Sequence, residues 1–331
     1  MGKKFIKNEM KRISEYNADF EKALLSLDLK DRKPESLYAP VAYAMEAGGK
    51  RLRPALVLMT ADAFGKAAEA AMPAALALEI FHNFTLLHDD VMDNSDMRRN
   101  RPTVYKKFGA NAAILSGDTM LGIAEGELLK LSDDKMRRVL EVFNRMSIAV
   151  YEGQSLDMDF ESRSDVSLDE YLEMIRLKTG ALLGASAEIG TIIGGGSCKE
   201  AEAMRSYGEN LGMAFQIEDD WLDTFGDSST FGKPIGGDIR QGKKTFLLVS
   251  GLESGSEESK ALRIALELPS GDMRVKTVTR IYQKMGLDLE CRAASSHYSA
   301  LAMQAVKSTS LPEEKLESYK YLLDRLTGRK K

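Results

Sequence analysis

The sequence predicts an all-α protein, and three observations carry that prediction. Ala, Leu, Met, Glu and Lys are abundant while only 8 of the 331 residues are proline, a composition that favours helices over sheets. Apolar residues recur at helical spacing over long stretches. The sequence contains no alternating run of β-branched residues bounded by turn residues, so no strand is predicted. We therefore expect one large helical bundle over residues 1–331, a single domain of about a dozen helices.

Two of the predicted helices are central. Apolar residues cover much of the circumference of a helix over about 73–92, and Pro73 suits its first turn. A second apolar helix is predicted over about 199–222. Short breaks that contain Gly, Pro or Asp separate the other helices, which we predict near 6–28, 36–46, 52–65, 111–131, 134–159, 168–192, 239–253, 273–286, 288–307 and 313–327.

Composition excludes several classes of protein. The chain is 44% hydrophobic and 29% charged, and 46 basic residues nearly balance 50 acidic ones, which is typical of a globular protein and argues against a nucleic-acid partner. Its two cysteines, Cys198 and Cys291, cannot build a disulfide framework. No signal peptide is visible, and no run approaches the roughly 18 uninterrupted apolar residues of a membrane span. We therefore expect a cytoplasmic protein.

Two aspartate clusters are the sharpest feature of the sequence. The segment DDVMD at 89–93 ends the first central helix, and DDWLD at 219–223 ends the second. Within each, the first and last aspartates are four residues apart, so on a helix their carboxylates share one face and repel each other. A solvated helix face is the alternative interpretation, but apolar residues precede both clusters. Because oxygen ligands that share a metal with phosphate and water favour Mg²⁺, we predict that the clusters bind Mg²⁺.

Basic segments next to glycines accompany both clusters. GGKRLRP at 48–54 enters a predicted helix, RRNRPT at 98–103 follows the first cluster, and GKP at 232–234 and GKKT at 242–245 follow the second. Arg and Lys beside glycine-rich backbone suit the oxygens of a diphosphate. Each segment alone would be interpreted as solvated surface. Their position beside two predicted metal clusters indicates instead a phosphorylated ligand.

These motifs resemble those of the trans-isoprenyl diphosphate synthases, also called polyprenyl synthetases. The resemblance extends from residue 48 to residue 245. One departure is Asn100, where the family usually has glycine, although Asn tolerates a left-handed φ better than most residues. The matching segments are GGKRLRP at 48–54, FHNFTLLHDDVMD at 81–93, RRNRPT at 98–103, GD at 117–118, LKTG at 177–180, FQIEDDWLD at 215–223, FGKPIGGD at 231–238 and GKKT at 242–245.

The resemblance implies an all-helical fold around a deep central cavity and a homodimer. It also implies Mg²⁺-dependent, head-to-tail condensation of isopentenyl diphosphate with an allylic diphosphate, with three Mg²⁺ ions per active site. Asp89, Asp93 and Asp219 would be the main metal ligands, with Asp90, Asp220 and Asp223 in support. Arg98, Lys178, Lys233 and Lys243 would bind the allylic diphosphate. Lys50, Arg53, His82 and Arg99 would bind isopentenyl diphosphate, and Thr179 and Gln216 would present oxygen dipoles to the carbocation.

Product length is predicted from helical geometry. Thr85 and Phe84 precede Asp89 by four and five residues, so they lie about one turn below it and should line the channel under the allylic site. In the family, two large residues at these positions are typical of C15 enzymes, and two small ones are typical of long-chain enzymes. Phe84 with Thr85 is intermediate, which favours a C20 product, geranylgeranyl diphosphate, over C15. Alternatively Phe84 is simply core, and the floor lies on the predicted helix 111–131 or 134–159.

Two other functions stay open at this point. A class I terpene cyclase also uses DDxxD and Mg²⁺, but its second metal site is typically an Asn/Ser/Glu triad. A noncatalytic subunit of a heteromeric synthase tends to lose aspartate clusters. Both clusters are intact here, so a catalytic, chain-elongating protein is favoured. The basic C-terminus, with Arg325 and residues 329–331, is predicted as a frayed, solvated tail, with closure over the diphosphates as the alternative.

Overall fold

The computed structural model describes residues 2–227 and 235–328, with side chains from residue 13 onward. Helices make up most of this part of the chain, so the all-α prediction is confirmed. In chain order they are α1 Gly2–Leu25, α2 Glu35–Met45, α3 Leu52–Ala63, α4 Met72–Met92, α5 Val104–Phe108, α6 Ala110–Leu128, α7 Asp133–Ser162, α8 Leu168–Ile175, α9 Ala181–Gly194, α10 Cys198–Phe225, α11 Gly237–Gln241, α12 Phe246–Glu253, α13 Glu257–Leu266, α14 Asp272–Met285, α15 Leu287–Lys307 and α16 Glu313–Thr327.

Contacts divide the chain into two compact units. Unit 1 comprises Met1–Asn144 and Ala185–Glu202, and unit 2 comprises Arg145–Gly184 and Ala203–Lys331. Helices α7, α9 and α10 each contribute residues to both units. The assignment of residues 1–331 to a single domain stays a prediction.

Helix α4 is the centre of unit 1. It packs against α3 and α6, and most of its side chains up to Leu87 are buried. Pro73 occupies its first turn, as predicted. The segment Ala68–Met92 is long and apolar enough to cross a membrane by length and composition, and 67% of its apolar window is buried inside the structure. That burial is typical of the core helix of a globular protein.

A short β-hairpin is the first difference from the prediction, which contained no strand. Strand β1, Met97–Arg98, pairs antiparallel with β2, Arg101–Pro102. Arg99 and Asn100 form the turn with φ of 52° and 60°. Positive φ at both central residues is the mark of a type I′ turn, which suits the twist of a two-stranded hairpin. Asn100 therefore adopts a left-handed conformation, which Asn tolerates better than most residues.

Two helical predictions were also incomplete, and two helices were missed. The helix predicted over 168–192 is interrupted by a π-helical turn, Arg176–Gly180, between α8 and α9. The helix predicted over 239–253 is broken at Gly242, whose φ of 70° ends α11 before α12 begins. Helices α5 and α13 were not predicted at all.

Glycines allow α7 and α10 to pack closely on the π turn within unit 2. A Cβ added at Gly153 of α7 would lie 2.4 Å from the Lys178 backbone nitrogen. A Cβ added at Gly212 of α10 would lie 2.7 Å from Gly180 Cα. Real Cβ atoms do not approach backbone this closely, so any side chain at these positions would push the helices away from the turn.

We expect Gly212→Ala to lower the free energy of unfolding by about 1–3 kcal/mol, the usual cost of overpacking. The matched control is Gly122→Ala on α6, where an added Cβ meets nothing within 4 Å. That change should stabilise the protein by roughly 0.5–1 kcal/mol, because alanine is the better helix former. Denaturant unfolding measures both variants. Equal effects of the two substitutions would contradict the close packing at the π turn.

Candidate functional site

The first aspartate cluster ends α4 in unit 1. The Asp93 amide donates to the Asp89 carbonyl at 2.8 Å, so the two aspartates share one helix face as predicted. Asp90 is buried on another face, where its Oδ1 accepts from Arg98 Nε at 2.9 Å and Nη2 at 2.8 Å. Burial raises the pKa of Asp90, and the Arg98 guanidinium opposes that shift. Asp90 is therefore bound by Arg98, whereas Asp89 is half-buried and Asp93 is exposed.

The arginine hairpin joins the two basic motifs of unit 1. Arg99 Nη1 donates to the Gly48 carbonyl. A Cβ at Gly49 would lie 3.1 Å from the same Nη1, and Gly49 has a φ of 149°. The glycine pair therefore gives Arg99 room beside the backbone. This contact explains why GGKRLRP and RRNRPT belong to one site although about 50 residues separate them along the chain.

A second group of arginines surrounds Glu79 and His82 on α4. Arg51, itself buried and in the left-handed conformation, donates to Glu79 Oε1 at 2.8 Å and to Glu21 Oε1 at 2.7 Å. Burial lowers the pKa of Arg53 to about 10. The charge of Glu79 acts to raise this pKa, and the charge of Arg99 acts to lower it further. Among the described residues, Arg53 Nε is buried without a hydrogen-bond partner.

His82 stays neutral in this surrounding. Burial and the positive charges of Arg53, Arg99, Arg98 and Arg51 hold the pKa of His82 well below its ordinary value. A neutral imidazole offers one donor and one acceptor. Four guanidinium groups around one neutral ring, with the Arg53 nitrogen unpaired, form an environment that favours an anion. Lys50 lies exposed on the glycine-rich turn next to Arg51.

The second aspartate cluster ends α10 in unit 2, and its middle member is enclosed by protein donors. Asp220 Oδ2 accepts from the Tyr171 hydroxyl and from the Phe246 amide at 2.8 Å, and Oδ1 accepts from Gln216 Nε2 at 3.2 Å. Burial, followed by the charge of Asp238, raises the pKa of Asp220 to about 7. These hydrogen bonds make Asp220 a structural acceptor in this structure.

Asp223 and Asp219 have different surroundings. Asp223 is buried, and its Oδ2 accepts from the Asp238 amide at the start of α11 at 3.0 Å. Asp219 is half-buried. The carboxylates with the greatest exposure in the two clusters are therefore Asp89, Asp93 and Asp219, the three that the family resemblance marks as main ligands.

The π turn carries Lys178 and Thr179. Lys178 Nζ pairs with Asp157 Oδ2 of α7 at 2.6 Å. Thr179 Oγ1 donates to Gln216 Oε1 at 3.4 Å, which connects the turn to α10. π-helical turns within α-helices occur frequently at functional sites. Lys178 and Thr179 are neighbours on the turn, and Thr179 is bonded to Gln216, so these three predicted residues are connected.

Asp157 and Tyr171 are site residues that the sequence analysis missed. A counter-ion for Lys178 could have been sought in the acidic QSLD segment of α7 at 154–157. No sequence signal distinguishes Tyr171 from an ordinary core tyrosine.

The remaining predicted residues have mixed outcomes. Lys243 is exposed after α11. Lys233 lies outside the described residues, as do the last three residues of the basic C-terminus, and Arg325 is exposed on α16. Phe84 is buried, with its ring centroid 5.5 Å from that of Phe81 and 4.8 Å from that of His88. Thr85 Oγ1 donates to the His82 carbonyl at 2.8 Å. The role of Phe84 and Thr85 in chain length stays a prediction.

The donor set fits Mg²⁺. Within residues 13–227 and 235–328, no three His, Cys, Asp or Glu side chains are close enough to enclose a metal ion. Mg²⁺ does not need such a cage, because it typically uses one or two carboxylates and completes its shell with phosphate oxygens and water. The pair Asp89 and Asp93 on one helix face is a donor set of that kind.

Comparison with known proteins defines the class of fold and then the family. The structure superposes on the crystal structure of geranylgeranyl pyrophosphate synthetase from Pyrococcus horikoshii Ot3 with a TM-score of 0.91 and 34% identity, covering 98% of this chain and 99% of that one. The fold is therefore that of the all-α isoprenoid synthases.

Sequence relatives agree with the fold. The chain is 43% identical over 225 residues to a geranylgeranyl diphosphate synthase of Methanosarcina mazei, which is 67% of this chain and 69% of the relative. It is 40% identical over 230 residues to a geranylfarnesyl diphosphate synthase of Aeropyrum pernix, 67% of this chain and 72% of the relative. Residues 34–285 match the polyprenyl synthetase family. The chain belongs to this family and is a prenyltransferase.

Proposed function

We propose that the protein condenses isopentenyl diphosphate with an allylic diphosphate, head to tail, and that its main product is geranylgeranyl diphosphate. The observation that carries this proposal is the presence of two intact aspartate clusters in a chain of the polyprenyl synthetase family. A cyclase or a noncatalytic subunit would be expected to lack the second DDxxD. Relatives named for C20 and for C25 products both exist, so the chain length rests on Phe84.

The metal site in this proposal uses the accessible carboxylates. Asp89, Asp93 and Asp219 would hold three Mg²⁺ ions, with Asp90, Asp220 and Asp223 in support. The bound ions would neutralise the negative charge that grows on the leaving diphosphate. Asp90 contributes through Arg98, because the ion pair holds the guanidinium at the end of α4.

The basic residues bind and orient the two substrates. Arg98, Lys178, Lys233 and Lys243 would bind the allylic diphosphate, and pairing with Asp157 keeps the Lys178 ammonium group in place before substrate binds. Lys50, Arg53, His82 and Arg99 would bind isopentenyl diphosphate. The unpaired Arg53 nitrogen supports this assignment, since a diphosphate oxygen would satisfy it. His82, being neutral, donates a hydrogen bond without adding charge.

Fixed dipoles complete the proposed mechanism. The Thr179 hydroxyl donates a hydrogen bond to Gln216 Oε1, and the lone pairs of its oxygen remain available as acceptors. Oxygen dipoles that are fixed before the reaction stabilise a developing cation without reorganisation. Exclusion of water by apolar walls would protect that cation until the double bond of isopentenyl diphosphate reaches it.

The experiment is incubation of the purified protein with Mg²⁺, isopentenyl diphosphate and each of dimethylallyl, geranyl and farnesyl diphosphate, followed by mass analysis. We expect a C20 diphosphate. A C15 product would keep the reaction and correct the chain length, and a C25 product would contradict the role of Phe84. A parallel incubation without isopentenyl diphosphate separates the alternatives. A hydrocarbon released from the allylic substrate alone would indicate a cyclase. Absence of reaction in both incubations would indicate a noncatalytic subunit.

We propose in addition that the protein is a cytoplasmic homodimer. The support is the family resemblance together with the composition of the chain. Sedimentation equilibrium of the full chain tests the oligomeric state, and a monomer at assay concentrations would contradict it.

A further inference from the structure

The Asp220 carboxylate connects three separate elements of unit 2. Its three donors come from α8 (the Tyr171 hydroxyl), from the first residue of α12 (the Phe246 amide) and from α10 itself (Gln216 Nε2). Asp220 is only 4% exposed. A buried carboxylate needs such donors, since each hydrogen bond offsets part of the cost of removing charge from water.

Tyr171 is the donor with no other evident reason to be polar. Its side chain is 1% exposed and lies in the apolar cluster that includes Met174 and Ile217. Phenylalanine would fill the same space, so the hydroxyl is what tyrosine adds. Burial and the charge of Asp220 raise the pKa of Tyr171 well above its ordinary value, and the group remains a proton donor.

We propose that Tyr171 is a positioning residue of the prenyl-transfer reaction. By fixing Asp220 it fixes Gln216, which donates to Asp220 Oδ1, and through Gln216 it fixes the Thr179 hydroxyl of the π turn. This inference rests on the proposed function, because Thr179 and Gln216 are the dipoles assigned there to the carbocation.

The connection has a definite order. Without the Tyr171 hydroxyl, Asp220 retains two donors and gains rotational freedom, and the Gln216 amide loses a fixed acceptor. The 3.4 Å bond from Thr179 to Gln216 is the longest in the set and should be lost first. Misplacement of a positioned group by about 1 Å costs roughly 10²-fold in rate. Residues assigned to isopentenyl diphosphate, among them Arg53 and His82, are not part of this set.

The test is Tyr171→Phe in the full-length protein. We expect kcat to fall by about 10–100-fold while KM for isopentenyl diphosphate changes less than about two-fold. The matched control is Tyr207→Phe, which removes the hydroxyl of another buried tyrosine of unit 2, one that donates to the Tyr319 carbonyl at 2.9 Å. Both variants lose one buried hydrogen bond and should lose similar thermal stability, but Tyr207→Phe should keep wild-type kcat.

A double-mutant cycle with Asp220→Asn shows whether Tyr171 acts through Asp220. In the Asp220→Asn background, Tyr171→Phe should change kcat by less than about two-fold, because the acceptor that connects Gln216 to Tyr171 is already lost. If Tyr171→Phe does not fold, Asp220→Asn serves instead, since Asn keeps an oxygen for Tyr171 but opposes an amide to Gln216. Its kcat should fall while the Mg²⁺ concentration that gives half-maximal rate changes less than about two-fold. An unchanged kcat, or a fall that a loss of Mg²⁺ affinity accounts for, would overturn the proposal.

The two levels of inference fail in different ways. If the wild-type protein catalyses condensation and Tyr171→Phe has the same kcat, the positioning role is overturned and the proposed function is kept. Equal losses of kcat in Tyr171→Phe and Tyr207→Phe would show a merely structural effect and would also overturn it. Absence of condensation by the folded wild-type protein would overturn the proposed function, and the role of Tyr171 with it.

Discussion

Asp89→Asn is expected to lower kcat by about 10²–10³-fold in a protein that remains folded, the range seen when one electrostatic contact to the transition state is removed. Asn keeps the shape of the side chain and removes its charge. Asp89 is half-buried at the end of α4, and the Asp93 amide bonds to its backbone carbonyl rather than to its carboxylate. The helix should therefore form normally, and its face loses one of its two carboxylates.

The control is Asp96→Asn, three residues beyond the first cluster. Asp96 is exposed and pairs with Lys106 at 2.8 Å, and surface ion pairs of this kind contribute about 0–1 kcal/mol. Its kcat should match that of the wild type. Initial rates across a range of Mg²⁺ concentrations, with calorimetry of Mg²⁺ and inorganic pyrophosphate binding, measure both variants. Wild-type rate and wild-type pyrophosphate binding in Asp89→Asn would contradict the assignment of this cluster to the metal.

Phe84→Ala is expected to change stability and product together. Removal of a buried phenyl ring from a packed core costs about 3–5 kcal/mol, and Phe84 contacts the rings of Phe81 and His88. If its ring also closes the channel, the space left behind admits a longer chain. We therefore expect a lower melting temperature and products longer than C20.

Phe160→Ala separates these two effects. Phe160 is 1% exposed in the core of unit 2, so its truncation should cost a similar free energy of unfolding and leave the product at C20. Product mass spectra at a temperature where both variants are folded provide the comparison. Identical C20 products from Phe84→Ala and Phe160→Ala would mean that Phe84 is only core and that the floor lies elsewhere.

Periodicity predicted the long helices because each buries one continuous apolar face. The second central helix was expected over 199–222 and runs from Cys198 to Phe225. The same reasoning missed the π turn, because α9 is apolar on nearly all sides. In such a segment one added residue changes the helical phase without changing the pattern of apolar and polar positions. It missed the β-hairpin because strands of two residues are too short to alternate.

Motifs predicted which residue types lie at the site, but not their partners. The spacing of Asp89 and Asp93 on one face follows from the helix alone. The bonds of Asp220 to Tyr171, 49 residues earlier, and of Lys178 to Asp157 depend on how helices pack. Arg51 illustrates the limit: its motif suggested a phosphate ligand, whereas the structure buries it against Glu79 and Glu21.

The π turn also determines which insertions and deletions the polypeptide can accept. Each residue of an α-helix rotates the chain by about 100°, so deletion of one residue between Arg176 and Gly180 would leave a regular helix but turn every later side chain of α9 by that angle. Gly184, where an added Cβ would lie 3.1 Å from the Arg205 carbonyl, would then no longer face α10. Single substitutions in α8 or α9 change one contact, whereas a one-residue insertion or deletion changes all of them. Among natural variants, this segment should therefore vary in sequence and keep its length.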